Sequence, residues 1–205
     1  MPTQCFFNLP HEKQMKIVGS ALMELSKVPA DKISINQIIH NAGISRGSFY
    51  QYFNDKLDLL DYILSDFKNM SQSCFRRNLE KYNGDIFKMT RAVYEEIILL
   101  GKNEHNLKII GNFFRGTKFT RNDRINFMKI FNISECFLED IIMPYVEKNN
   151  LRETSVEFIR NIIGIICLLV KQSLTDIFSD YDNLEIYKNS FYTQLDIIRR
   201  GSIKE

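Results

Sequence analysis

The stretch HNAGISRGSFYQYFNDKLDLL, residues 40–60, concentrates side chains that can donate hydrogen bonds to an anion. It holds two serines, two tyrosines, an arginine and a lysine, together with two glycines that let a backbone approach a ligand closely. Hydroxyls and cationic side chains are the usual donors to phosphate oxygens, and arginine also reads the guanine edge in the major groove of DNA. These residue types therefore favour binding of a nucleic acid.

The rest of the sequence offers no competing chemistry. The histidines are isolated from one another and from any nucleophile, and no Cys-x-x-Cys pair occurs, so we expect no catalytic residue, no metal site and no cofactor. The four scattered cysteines are predicted to be free thiols in a reducing compartment. The net charge of +2 is too small for bulk attraction to nucleic acid, so any such contact must depend on a local arrangement.

The sequence predicts a cytoplasmic protein that does not span a membrane. The first residues, MPTQCFFNLPHEKQ, lack the basic region, apolar core and cleavage site of a signal peptide. The longest apolar run, IIGIICLLV at 162–170, is shorter than the ~20 residues that cross a bilayer.

Helical signals precede and follow the polar stretch. Apolar residues at i, i+3, i+4 and i+7 predict a helix over about residues 10–27. Ser34 and Gln37 form a capping box for a second helix, which Gly43 ends. Ser45 can cap a third, very short helix that continues to about Gln51, and a fourth helix begins at Asp55.

The remaining chain also predicts helices, over about residues 85–101, 104–116, 122–148, 153–179 and 183–200. No stretch alternates with period two, so the predicted fold class is all-α. The predicted organisation is a three-helix helix-turn-helix domain over residues 1–54 and a larger helical domain over residues 55–205.

In a helix-turn-helix the last helix enters the major groove. Phe49 and Phe53 lie four residues apart and can anchor one side of the short helix on the first two helices. Lys56 lies in the first turn of the next helix, where the free amides also favour a phosphate. The opposite side of the short helix presents Arg46, Gly47, Ser48, Tyr50, Gln51 and Tyr52.

The string AGISRGSFYQYFNDKLDLL, residues 42–60, resembles the signature of the TetR family of bacterial transcriptional regulators. The resemblance is specific over about residues 10–65 and concerns only architecture elsewhere. In KNNLRE, Asn150 occupies a place where family members often carry glycine, and asparagine tolerates positive φ. The resemblance implies phosphate contacts by Ser34, Ser48, Tyr50 and Lys56, and base contacts by Asn36, Arg46, Gly47 and Gln51. Tyr52 either makes an additional DNA contact or packs against the first helix.

The resemblance also implies a ligand cavity among the middle helices. Large apolar side chains are frequent there, and many of them belong to the core of any helical domain. Because paired charges are few, we expect a small hydrophobic or aromatic effector. The candidate lining residues are Phe87, Tyr94, Phe113, Phe114, Phe127, Phe131 and Phe137.

The last two predicted helices carry continuous apolar stripes that favour a homodimer, and the resemblance implies the same four-helix contact. A monomer core is the alternative interpretation of these stripes. The candidate interface residues are Ile159, Ile163, Ile166, Val170, Leu174, Phe191 and Leu195.

The sequence therefore predicts a homodimeric regulator, a repressor, that binds double-stranded operator DNA and is released by a small-molecule effector. One alternative is a DNA-binding regulator controlled by a protein partner. The other is a helical carrier of lipophilic ligands that does not bind DNA. The sequence does not identify the effector, the operator or the sign of regulation.

Overall fold

The computed structural model describes residues 1–63, 65–116 and 142–204. Within these ranges the regular structure is helical, apart from one isolated bridge between Leu151 and Ile203, so the all-α prediction is confirmed. Two short 3₁₀ helices, Ala30–Lys32 and Tyr181–Asn183, accompany the α-helices. The α-helices are α1 (Gln4–Phe7), α2 (His11–Leu25), α3 (Ile35–Ala42), α4 (Arg46–Tyr52), α5 (Lys56–Ile63), α6 (Ser65–Lys81), α7 (Ile86–Leu100), α8 (Glu104–Gly116), α9 (Val156–Ser179) and α10 (Leu184–Ser202).

Contacts divide the chain into two units. The first contains Met1–Met70 and, among the described residues, 108–116 of α8. The second contains Ser71–Leu107 and residues 142–204. The boundary predicted after residue 54 falls inside the first unit, because α5 buries Leu59 and Leu60 in the core that the first four helices share.

The predicted caps of the helix-turn-helix are present. The amide of Gln37 donates to Ser34 Oγ at 3.4 Å, so Ser34 caps α3. Gly43 ends α3 with a φ of +67°, in the left-handed region that favours glycine. The amide of Ser48 donates to Ser45 Oγ at 3.0 Å, and this cap starts α4.

The core of the first unit explains why α4 lies on the first two helices. Phe49 and Phe53 are both fully buried, with ring centroids 5.5 Å apart, as the sequence predicts. They pack among Ile17 of α2, Ile38 of α3 and Leu59 of α5. Four-residue α1 was not predicted, and it adds a further aromatic ring to this core.

Helix α8 contributes a polar contact to the first unit. Asn112 is only 5% exposed, and its amide donates to the carbonyl of Leu25 at 2.9 Å. Leu25 is the last residue of α2, where carbonyl groups lack partners within the helix. Asn112 therefore satisfies a buried acceptor that α2 alone leaves open.

In the second unit, α9 packs against α7 and α10. The Tyr94 ring of α7 stacks on Phe191 of α10 at 3.8 Å, and its hydroxyl shares a 2.5 Å hydrogen bond with Ser173 of α9. Helix α9 is long and apolar enough to cross a membrane by length and composition, with a mean hydropathy of 1.7. Nine of its side chains are nevertheless buried in the protein.

The cysteines that the structure describes, Cys5, Cys74 and Cys167, are free. Cys74 donates from Sγ to Glu96 of α7 at 3.0 Å, and Arg77 pairs with the same carboxylate at 2.7 Å. Burial and the Glu96 carboxylate raise the pKa of the Cys74 thiol to about 12. This thiol is therefore protonated and has a structural hydrogen-bonding role.

Two predictions for residues 146–150 need correction: the end of a helix and the backbone angle of Asn150. Of the predicted helix 122–148, residues 122–141 lie outside the described residues, whereas 146–148 have no regular structure. Asn150 does not take the positive φ expected for it; the described non-glycine residue with positive φ is Asn83, at 51°. The predicted fourth helix corresponds to α5 and α6, and residue 64 between them is not described.

The turn before α7 depends on Gly84. Its φ is +79°, and its carbonyl accepts from the amide of Glu147 at 3.0 Å. A Cβ at this position would lie 2.2 Å from the carbonyl oxygen of Tyr145 and 2.4 Å from the nitrogen of Glu147. Both contacts are with backbone, which cannot move as a side chain can.

We expect Gly84→Ala to destabilise the second unit, with strain at positive φ alone costing about 1–3 kcal/mol. Gly201→Ala in α10 is the matched control, because a Cβ there meets nothing within 4 Å. The control should be neutral or stabilising by up to about 1 kcal/mol, since alanine favours a helix. Urea unfolding followed by circular dichroism measures both; equal midpoints for the two variants would contradict this account of the turn.

Candidate nucleic-acid interface

Helix α4 divides the predicted contact residues into exposed and buried sets. Arg46, Gly47, Tyr50 and Gln51 are exposed on one side, opposite the buried Phe49. Ser48 is half-buried at the edge of this surface. Five of the six side chains predicted on α4 thus lie at or near the surface.

The sixth, Tyr52, does not. It is 7% exposed, and its ring meets Phe6 of α1 edge-on with centroids 6.4 Å apart. Of the two roles expected for Tyr52, the structure therefore favours packing, and the partner is α1, which is not apparent from the helical pattern. We therefore assign Tyr52 to the core.

Asn36 and Arg46, predicted to contact bases from α3 and α4, are in direct contact. Arg46 Nη1 donates to Asn36 Oδ1 at 2.8 Å, and Nη2 donates to the Tyr50 hydroxyl at 3.4 Å. The guanidinium carbon also lies 5.6 Å from the centre of the Tyr50 ring. Two of the five guanidinium N–H donors are used in this cluster, and three stay available for a ligand.

Gly47 leaves the surface beside Arg46 open. A Cβ there would come no closer than 3.8 Å to Ser45 Oγ, an ordinary contact. The fold therefore does not require glycine at this position. Because glycine has no side chain, a ligand can approach the α4 backbone closely at Gly47, as the sequence predicts.

The serines near the start of α4 form a small hydroxyl group. Ser45 Oγ and Ser48 Oγ are 2.9 Å apart, and Ser45 is exposed. Ser34 is also exposed, at the start of α3. The sequence predicts Ser45 only as a cap, because a cap is inferred from position and not from exposure. Its place as a further surface hydroxyl was not predicted.

The start of α5 differs from the prediction. Asp55 Oδ1 accepts from the amides of Leu57 at 2.7 Å and Asp58 at 2.9 Å, so a carboxylate already occupies these amides. An added phosphate would meet this negative charge. Lys56 Nζ donates to the carbonyl of Asp31 at 2.6 Å and is half-buried. Lys56 itself, and not the helix amides, is thus the group that can attract an anion here.

Of the predicted pocket residues, the structure describes the side chains of Phe87 and Tyr94. Phe87 lines a cavity of about 540 Å³ together with Tyr82, Arg199 and Lys204. Tyr94 is fully buried in the contact of α7 with α10 and is not among the residues that line this cavity. The side chains of Phe113 and Phe114, and residues Phe127, Phe131 and Phe137, lie outside the described residues.

The predicted dimer stripe lies largely inside the chain. Val170 is half-buried, and the other six residues are at most 8% exposed. These six side chains pack within the second unit and offer little surface to a partner. They are Ile159, Ile163, Ile166, Leu174, Phe191 and Leu195.

Among the described residues, no group of three or more His, Cys, Asp or Glu side chains could hold a metal ion. The candidate site is therefore the exposed side of α4 with the neighbouring residues of α3 and Lys56. The site offers hydroxyl donors, one guanidinium held by two hydrogen bonds, and one ammonium group. Most of these groups lie on or beside α4, which follows a tight turn. This arrangement suits the edges and phosphates of a DNA duplex.

Comparison with known proteins supports this interpretation. Residues 17–63 match the family model described as bacterial regulatory proteins, tetR family. An uncharacterized HTH-type transcriptional regulator, YvdT of Bacillus subtilis (strain 168), is 24% identical over 89% of this chain and 93% of its own length.

Solved structures share the fold. SmeT, the repressor of the Stenotrophomonas maltophilia multidrug efflux pump SmeDEF, has a TM-score of 0.57 at 15% identity, covering 98% of this chain and 93% of its own. FadR from Bacillus subtilis, solved in complex with stearoyl-CoA, has a TM-score of 0.54 at 18% identity, covering 88% of this chain and 96% of its own.

The matched segment contains the whole of α3, α4 and α5, and its caps and buried phenylalanines form the helix-turn-helix described above. The full-length relative and the shared helical fold extend the similarity beyond that segment. Residues 17–63 thus resemble the DNA-binding segment of the tetR family of bacterial regulatory proteins, and most of the chain is similar to an HTH-type transcriptional regulator.

Proposed function

We propose that this chain is a ligand-responsive repressor in the cytoplasm that binds operator DNA as a homodimer and leaves it when a small hydrophobic or aromatic effector binds. The observation that carries the DNA-binding part is the contact of Asn36, Arg46 and Tyr50 on the exposed side of α4. A guanidinium held by two neighbours loses less conformational freedom when it binds a base than a free one does.

The roles of the contact residues follow from their chemistry. Arg46 can present its remaining donors to guanine O6 and N7, and Gln51 is also exposed, about one turn after Gly47. Ser34, Ser48 and Tyr50 supply hydroxyl donors to phosphates, and Lys56 supplies the charge. Phosphate contacts set affinity and position, whereas base contacts set specificity.

Exposed apolar side chains support a homodimer through α9 and α10. Ile165 and Leu168 of α9 are 51% and 38% exposed, while Ile186 and Ile197 of α10 are each 65% exposed. Full burial of an exposed aliphatic side chain is favourable by roughly 1.5–3 kcal/mol, so burying the part of these four that is exposed contributes roughly half of that each. We therefore move the proposed interface from the buried stripe to these outward-facing residues.

The effector is supported by similarity and by composition. FadR of Bacillus subtilis was solved with stearoyl-CoA, a ligand with a long apolar chain, and SmeT represses a multidrug efflux pump. Of the seven aromatic residues predicted to line a pocket, Phe87 borders the described cavity. The other residues that line this cavity are mainly polar and charged, so the proposal of a hydrophobic or aromatic effector rests on the FadR ligand and on composition, and not on the cavity.

The DNA roles predict different defects for two substitutions. Lys56→Ala should reduce the salt dependence of binding by about one unit of slope per copy, hence about two per dimer, with unchanged base preference. Arg46→Lys keeps the charge but loses the planar fork, so it should relax preference at one base position by about 1–3 kcal/mol. Fluorescence anisotropy with duplexes enriched from a random library measures both.

Lys102→Ala is the control for charge, because Lys102 is exposed and lies in the second unit. It should bind with the affinity and salt slope of the wild type. A Lys56→Ala protein with altered base preference and an unchanged salt slope would show that the two roles are assigned wrongly.

Adjacent residues of α9 test the dimer. Ile165→Glu should produce a folded monomer, because Ile165 is half exposed within one chain. Ile166→Glu should instead unfold the second unit, because Ile166 is 5% exposed and a carboxylate there would be buried without a partner. Analytical ultracentrifugation and circular dichroism distinguish the two. A wild-type monomer at micromolar concentration, or a stable Ile165→Glu dimer, rejects this interface.

Effector control predicts reciprocal binding. A ligand that favours the DNA-free state must bind more weakly when operator is present, and by the same factor that it weakens DNA binding. The coupling should be about 1–3 kcal/mol. A panel of hydrophobic small molecules, screened by thermal shift and titrated with and without the selected duplex, measures it. A tightly bound ligand that leaves DNA affinity unchanged would support the partner-controlled alternative.

A further inference from the structure

The segment before α2 contacts the recognition helix, although it precedes the part of the chain that matches the family model. That match begins at residue 17, whereas α1 spans Gln4–Phe7. The segment runs from Thr3, the residue before α1, to Phe6. Both ends of this segment meet the carboxyl end of α4.

Thr3 donates two hydrogen bonds to the last carbonyls of α4. Its amide donates to the carbonyl of Tyr52 at 2.9 Å, and its hydroxyl donates to the carbonyl of Gln51 at 2.5 Å. The last four carbonyls of any α-helix have no partner within the helix. In α4 the amide of Phe53 closes on Phe49, and Thr3 supplies donors for two of the carbonyls beyond it.

Phe6 fixes the same end of α4 by packing. It is fully buried, and its ring lies 4.9 Å from Phe53 and 5.0 Å from Tyr62 of α5. Tyr52 meets it edge-on. The ring therefore occupies the junction where α4 ends and α5 approaches, and it holds Tyr52 away from the exposed surface.

Helix α1 is itself fastened to α2. Gln14 Nε2 donates to the carbonyls of Phe7 at 3.3 Å and Leu9 at 2.8 Å. The segment is thus held to α4 by Thr3 and Phe6, and the residues that follow it are held to α2 by Gln14. A segment held in this way can transmit a fixed position to the helix end that it caps.

We propose that Thr3 and Phe6 are positioning residues for DNA recognition, which hold the last turn of α4 so that Tyr50 and Gln51 keep their place against the duplex. This inference rests on the proposed DNA-binding function. Helix ends fray, and Tyr50 and Gln51 belong to the last turn of a helix of seven residues. Fastening the Gln51 carbonyl restrains the backbone of a residue that faces the duplex.

Thr3→Pro is the sharpest test. The φ of Thr3 is −74°, within the range of proline, and the substitution removes both donors and places a ring carbon against the Tyr52 carbonyl that accepts from the Thr3 amide. Thr3→Val removes only the hydroxyl, and Thr3→Ser retains it. Thr193→Val in α10 is the matched control, because its hydroxyl donates to Asn189 within the same helix.

The readout is the ratio of affinities for the enriched duplex and a scrambled duplex, measured with full-length protein. We expect Thr3→Pro to lower this ratio about 5–10-fold and Thr3→Val less, with Thr3→Ser and Thr193→Val close to the wild type. Hydrogen exchange of peptides spanning residues 46–53 should be faster in Thr3→Pro. A role in stability alone would lower the unfolding temperature without changing the ratio for the folded protein.

An unchanged ratio in folded Thr3→Pro overturns the inference. If Thr3→Pro does not fold, Thr3→Val decides by the same criterion, and a ratio within experimental error of Thr3→Ser overturns it. Failure of the wild type to enrich any duplex rejects the proposed function instead. The two failures are therefore distinguishable.

Discussion

The recognition helix is too short to be stable alone, and the first unit is built around that constraint. Isolated helices shorter than ~12–15 residues are marginal in water, and α4 has seven residues. Its stability therefore comes from its surroundings: Phe49 and Phe53 bury one side, Ser45 caps the start, and Thr3 closes the end. Phe49, Phe53 and Thr3 lie away from the exposed side of α4, which leaves that side free for polar residues.

The same division explains how a chain with a net charge of +2 can bind a polyanion. Aromatic anchors carry the stability, so the exposed positions of α4 are free for hydroxyls and a single arginine. Uncharged donors hydrogen-bond to phosphates without adding bulk attraction, and Arg46 is held by Asn36 and Tyr50. The hydrogen-bond geometry of these donors therefore takes the place of a high net charge. At the start of α5, the Asp55 carboxylate accepts hydrogen bonds from the helix amides and caps the helix, so those amides are not free to bind a phosphate.

Local features could be predicted from the sequence, and non-local ones could not. The caps at Ser34 and Ser45, the turn at Gly43 and the Phe49–Phe53 pair depend on residues within four positions of one another, and the structure contains them all. Burial of Tyr52 depends on Phe6, which is 46 positions away along the chain. The prediction of free amides beside Lys56 was wrong for a different reason. Asp55 was predicted to begin a helix, but its carboxylate was not considered as the acceptor for those amides.

Helix α9 shows most clearly what periodicity leaves undetermined. Its apolar residues cover so much of the circumference that the pattern fits a core helix, a dimer helix and, by length, a membrane helix equally well. The structure assigns one part of this circumference: α9 packs against α7 and α10, and Ile159, Ile166 and Leu174 are buried within the chain. Lys171 is also 5% exposed within the chain, and burying a lysine is costly in lipid but tolerable in a protein that pairs it. Among the described residues, Ile165 and Leu168 form an exposed apolar strip on α9, which the proposed homodimer would bury. A second copy of this chain is the partner that every molecule in solution has available, and an isologous contact lets one such strip meet its own symmetry mate.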